Sequence, residues 1–135
     1  MSGRSFLTLD EVLAIHADQI RRYGGRPGLR DLALLRSAMG TPEATFEGDY
    51  LHTDVYEMAA AYLFHIARNH PFVDGNKRTG LMVALVFLGL NDLELAADAD
   101  ALFELVSGVA AGELTKAQLA VFFQQHCRSR DPASE

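Results

Sequence analysis

With one cysteine, Cys127, the chain has no means of forming an internal disulfide, and a reducing cytoplasm is its expected compartment. A basic excess is also missing: 12 Lys+Arg stand against 18 Asp+Glu, for a net charge of −6. A broad nucleic-acid footprint needs clustered surplus Lys and Arg, so direct nucleic-acid binding is not expected. A small basic pocket for a nucleotide remains compatible with this balance. The apolar run from Gly80 to Leu90 is too short for a membrane span, which takes about 20 residues. The start, Met-Ser-Gly-Arg-Ser-Phe, lacks the apolar core of a signal peptide, and no membrane partner is expected. Internal repeats, low-complexity tracts, linkers and a sustained period-two pattern are all absent.

What is present points to a folded, all-α chain. Hydrophobic residues make up 49% of the sequence, enough to fill a core without covalent staples. One domain over residues 1–135 is expected, with frayed ends at about 1–4 and 129–135. The pattern predicts a compact bundle of about six helices, with the third and fourth at its centre.

The helix signals run in order. Thr8 with Glu11 is a capping box, and Leu9, Val12, Leu13, His16, Ile20 and Tyr23 follow on one face. Gly24-Gly25 ends that helix. His16, within the apolar face, is either a core histidine with one hydrogen bond or a support for a site. Residues 24 to 31 form a Gly/Pro loop without P-loop spacing. A second helix is expected from about Asp31 to Met39, with Leu32, Leu35 and Met39 inward. Residues 40 to 53 suit a short β-like flap or an ordered loop, of a length that is often functional. The third helix reads from an Asp54 N-cap to Asn69, almost wholly apolar, with His65 expected on its solvated stripe. A fifth starts near Asp98 or Asp100, and its Asp-x-Asp is not an EF-hand. The last opens with a Thr115/Gln118 capping box, buries Leu119, Phe122 and Phe123, and carries Cys127 near its end.

Residues 70 to 90 organise the rest. His70-Pro-Phe-Val-Asp-Gly-Asn-Lys-Arg-Thr-Gly80 is polar and rich in turn formers; Leu81 to Leu90 is wholly apolar. A helix apolar on all sides belongs in a core, so this stretch reads as a buried helix with a charged tip. Pro71 keeps His70 out of the α region, on a loop at the exit of the third helix. Backbone N–H groups of Gly75 to Lys77 at a helix start suit phosphate oxygens. Lys77 and Arg78 can neutralise the remaining charge. Asp74 can hold Mg²⁺ alongside phosphates, and His70 can take a proton from a hydroxyl. Duller readings stand beside these: Asp74 as a plain N-cap, Arg78 paired with a carboxylate, Asn76 as a turn residue, His70 as a capping histidine. They leave unexplained why two cations crowd a helix end whose dipole opposes them.

The run His70-Pro-Phe72-Val-Asp74-Gly75-Asn76-Lys77-Arg78-Thr79-Gly80-Leu81 resembles the motif of the Fic/Doc family, His-x-Phe-x-Asp/Glu-Gly-Asn-Gly-Arg-x-x-Arg. The Asn-Lys-Arg-Thr variant looks like the Doc, or death-on-curing, branch of toxins from toxin–antitoxin modules. The likeness extends from about Phe6 to His126. The resemblance implies His70 as general base, Asp74 as Mg²⁺ ligand, and Gly75, Asn76, Lys77 and Arg78 as phosphate or nucleotide holders. Phe72 and Thr79 would be structural support. Lys77 stands where the motif has its second glycine, and Leu81 where it has its last arginine. Those positions hold nucleotide phosphates in Fic enzymes that transfer AMP.

A Doc-like chain would instead use ATP and Mg²⁺ as a kinase, passing the γ-phosphate to a threonine of elongation factor Tu and arresting translation. Its other partner would be a cognate antitoxin whose disordered segment folds on the toxin. No inhibitory Ser/Thr-x-x-x-Glu-Gly/Asn pattern occurs here; Glu47-Gly48 has Glu43 at the hydroxyl position. AMP transfer to a protein hydroxyl and a non-catalytic phosphate- or partner-binding module are the alternatives.

Overall fold

The computed structural model describes residues 4–130. Its elements in chain order are α1 (Leu9–Tyr23), α2 (Leu32–Gly40), β1 (Thr45–Phe46), β2 (Asp49–Tyr50), α3 (Val55–Asn69), α4 (Asn76–Leu90), β3 (Leu93–Leu95), α5 (Ala99–Ala110), α6 (Lys116–His126) and β4 (Cys127–Ser129). The strands form two short antiparallel ladders, β1 with β2 and β3 with β4. The all-α expectation therefore holds for the frame.

The local signals explain where the helices begin. Thr8, Asp31, Asp54, Asp98 and Thr115 each accept an N–H of the first turn, and Thr8 and Thr115 complete capping boxes with Glu11 and Gln118. Such a cap stabilises a helix by about 1 kcal/mol. The centre is α3, which packs on α4, α6, α2 and α5. Met58, Tyr62, Leu63 and Ile66 of α3 are fully buried with Val83, Phe87 and Leu88 of α4 and Phe123 of α6. Gly80 lets α3 and α4 approach closely: a Cβ there would lie 3.2 Å from both the Leu63 carbonyl and its Cδ1. Among the described residues no helix is long and apolar enough to cross a membrane.

Several expectations change. Tyr23, on the predicted inner stripe of α1, is 67% exposed, because the stripe has rotated outward by the last residue; Gln19 is buried instead. Leu32, the first residue of α2, is also exposed, and Ala38 takes an inner place. Residues 129 and 130 are held rather than frayed: Ser129 pairs with Leu93, and the Arg130 N–H donates to the Asp92 carbonyl at 2.9 Å. The rest of the expected frayed ends, 1–3 and 131–135, lies outside the described residues, and Arg4 is exposed. Cys127 follows α6 as the first residue of β4, and burial pushes its thiol up to about 11. Of the two forms that suit residues 40 to 53, a β-like flap or an ordered loop, the structure has the flap, as the β1–β2 hairpin.

Candidate functional site

α3 stops where Pro71 stops it. His70 is the C-cap, at φ 50° and ψ 56° in the left-handed region. A proline that denies its predecessor the α basin normally sends it to extended backbone; here His70 turns left-handed instead. For a non-glycine residue that conformation costs about 1–2 kcal/mol. Arg30 secures the turn: Nε donates to the His70 carbonyl at 2.6 Å and Nη2 to the Asn69 carbonyl at 3.0 Å. A cation thus meets the negative end of the α3 dipole and satisfies two of its terminal carbonyls.

The loop from Pro71 to Gly75 is clasped by residues 24–31. The Arg30 and Asp31 N–H groups donate to the Pro71 carbonyl at 2.7 and 2.9 Å, and the Val73 N–H donates to the Gly28 carbonyl at 3.0 Å. Phe72 pairs with Leu29, is 1% exposed, and stacks on the His16 ring with centroids 3.8 Å apart and planes 6° apart. The Asn76 side chain ties the loop to itself, accepting the Phe72 N–H at 2.9 Å and donating to the Phe72 carbonyl at 3.0 Å. Nothing in residues 24–31 read alone announces this role. Their partners lie some forty to fifty residues on.

Asp74 is exposed at the end of this loop. Its Oδ2 accepts the Arg26 N–H at 3.1 Å and its Oδ1 accepts the Gly75 N–H at 2.9 Å. These two N–H groups, Arg26 first, hold its carboxyl below the usual range, with the Arg78 and Arg26 charges adding to the effect. Asp74 is not the N-cap of α4. That position falls to Gly75, at φ 75°, and no side chain caps the helix. The first-turn N–H groups of an α-helix have no partner within the helix, so α4 turns open donors toward whatever lies before it. Among the described residues Arg78 pairs with no carboxylate; its Nη2 donates to the Gly24 carbonyl at 2.9 Å, and the guanidinium lies 5.9 Å from the Tyr23 ring centre.

His70, Val73, Asp74, Gly75, Asn76, Lys77 and Arg78 line one cavity of about 300 Å³. Every candidate catalytic, metal-binding and phosphate-holding residue of the sequence reading is therefore on one small wall. Phe72 and Thr79 lie behind it, 1% and 0% exposed. A second space of about 650 Å³ shares Lys77 and Arg78 and continues over apolar residues that include Leu81, Met82, Leu85 and Phe103. Leu81 thus faces an apolar groove where the motif has an arginine.

The model of the Fic/DOC family matches residues 6–88, which span this whole site. The chain belongs to the Fic/Doc family. Within it, the chain is similar to "Protein kinase doc" of Escherichia phage P1, 38% identical over 111 residues, covering 82% of this chain and 86% of that protein. It is also similar to "Toxin Doc" of Mycolicibacterium smegmatis, 45% identical over 78 residues, or 58% of this chain and 60% of that protein. The matched Fic/Doc region ends inside α4, so α5 and α6 lie beyond it.

His65 departs from the surface position expected of it. Lys116 donates to His65 Nε2 at 3.1 Å and to His52 Nε2 at 3.4 Å. This cluster lies apart from the motif, and among the described residues no group of His, Cys, Asp and Glu forms a metal cluster.

Proposed function

We propose that this Fic/Doc chain is a Doc-like toxin that acts as a protein kinase, moving the γ-phosphate of ATP to a threonine hydroxyl of elongation factor Tu and so arresting translation. The observation that carries the reading is the 300 Å³ cavity, where His70, Asp74, Lys77 and Arg78 meet the uncapped start of α4. The likeness to a protein named as a kinase supports phosphoryl transfer as the reaction.

In this reading the open N–H groups of the first turn of α4 hold phosphate oxygens, and Lys77 and Arg78 offset their charge. Asp74 fits a magnesium ligand: it is ionised, exposed, and holds one N–H per oxygen, leaving lone pairs free. Mg²⁺ bound there supplies charge neutralisation of the phosphates. His70 accepts the proton of the attacking hydroxyl. The new bond joins that oxygen to the γ-phosphorus, the bond from the γ-phosphorus to the bridging oxygen breaks, and ADP leaves. Lys77 and Leu81, in place of the motif's glycine and arginine, favour this over AMP transfer.

The apolar groove beside Lys77 and Arg78 suits a helical segment of the cognate antitoxin, which would fold on it and cover the cationic wall. The β1–β2 hairpin, with Phe46 67% exposed, suits contact with the protein target.

The test is purified protein with elongation factor Tu, Mg²⁺ and ATP labelled in the γ- or the α-phosphate. Label from the γ-position on the factor is expected. Label from the α-position would replace the reading with AMP transfer. Absence of both, with the fold verified, would overturn it, and growth inhibition that survives His70→Ala would point to a binding module.

A further inference from the structure

Within α1, His16 is 5% exposed, on the buried face with Val12 and Gln19. Its Nε2–H donates to the backbone carbonyl of Asp74 at 2.8 Å, across 58 residues of chain. The peptide unit that carries this carbonyl also carries the Gly75 N–H, and in a planar trans unit the two point in opposite directions. Drawing the carbonyl inward turns the N–H outward. There it holds Asp74 Oδ1 at 2.9 Å. The stack on Phe72 fixes the plane of the imidazole, and Phe72 is itself locked by Asn76.

We infer that His16 is a positioning residue for the Asp74 carboxylate, acting through the Asp74–Gly75 peptide rather than by touching substrate. The inference rests on Asp74 as the magnesium ligand. It says that a core side chain of α1 sets the aim of a charge at the surface. A histidine suits this place better than an apolar residue of similar size. It fills the core beside Phe72 and satisfies a carbonyl that the sharp turn at Gly75 leaves without a helical partner.

His16→Phe keeps a ring against Phe72 and removes the donor; His16→Gln restores a donor without the ring. The readout is the Mg²⁺-dependent gain in affinity for a non-hydrolysable ATP analogue, measured by calorimetry as the ratio of Kd without and with Mg²⁺. His16→Phe is expected to cut that gain about tenfold while leaving metal-free affinity and helical content unchanged, with His16→Gln recovering part of it. Exchange of the Gly75 amide hydrogen is expected to rise about tenfold in His16→Phe. An unchanged gain together with unchanged exchange would overturn the inference, as would equal losses with and without Mg²⁺, the mark of a packing role alone. A wild-type protein that shows no Mg²⁺-dependent gain would count against Asp74 as the ligand, and the amide exchange would still decide whether His16 holds the peptide. Should neither variant fold, nitrogen NMR of the wild type decides: a protonated Nε2 is required, and a bare one overturns the proposal.

Discussion

His70 and Asp74 are both exposed, and each is aimed by a backbone contact that its own side chain does not make. Arg30 grips the His70 carbonyl, and His16 grips that of Asp74. Removing the His70 imidazole should therefore leave the fold untouched, whereas removing the Asp74 carboxylate would also release the Arg26 and Gly75 N–H groups. His70→Ala is expected to lower phosphoryl transfer by roughly 10²–10⁴-fold, the usual worth of a positioned base, with the far-ultraviolet dichroism unchanged. Gly25→Ala should act differently. Gly25 sits at φ +117°, and a Cβ there would lie 2.9 Å from Asp74 Oδ2. The variant should lose roughly 1–2 kcal/mol in urea unfolding and push the carboxylate off its Arg26 partner. Thr79 gives the opposite sign. Its hydroxyl is fully buried with no hydrogen-bond partner among the described residues, so Thr79→Val should stabilise the protein by about 1 kcal/mol, again measured in urea.

At the scale of elements, the Lys116 amine bolts α6 to His65 of α3 and to His52 in the segment that follows the hairpin. Burial first, then the Lys116 charge, pushes His65 down to about 4, and His52 is lowered for the same reasons in the same order. Depressed histidines stabilise the fold above the pKa of about 6.5 they have when unfolded. That stability disappears as pH falls toward 4, because the unfolded chain takes up protons the native one refuses. For His65 the loss is at most ~3 kcal/mol. Lys116→Met should be less stable than wild type at pH 7 and should lose less on going to pH 4.5, as read from urea unfolding at both values. The expectation of a solvated His65 failed because Lys116 arrives from another helix, 51 residues later. Helix starts were legible because Thr8, Asp54, Asp98 and Thr115 act within three residues of themselves. The β3–β4 ladder was not: strands of three residues, Leu93–Leu95 and Cys127–Ser129, are too short to display a period of two.

Across the whole molecule, what could be read from sequence follows the range of the interactions. The motif lies in one contiguous run, so its residues are legible in the sequence alone, and the structure places them around one cavity. The clasp by residues 24–31 could not be read the same way, since Arg26, Gly28 and Arg30 act through their backbone or on someone else's. Periodicity detects side-chain faces, not carbonyls. The loop, the end of α3 and the start of α4 together form a frame in which a residue of α1 adjusts a charge 58 positions away.

Among the described residues five of the six helices bring a side-chain N-terminal cap, and α4, packed on the central α3, does not. A bound phosphate would complete it, which makes occupancy of the cavity a term in the stability of the whole fold. At a hundredfold excess over Kd a ligand specific to the native state adds about 2.7 kcal/mol. A melting curve then becomes a ligand assay: inorganic phosphate, ADP and ATP should raise the Tm in rising order, and Asp74→Asn should erase the part of the ATP shift that needs Mg²⁺. Compounds could be ranked by how well they finish a helix, with no knowledge of the target protein.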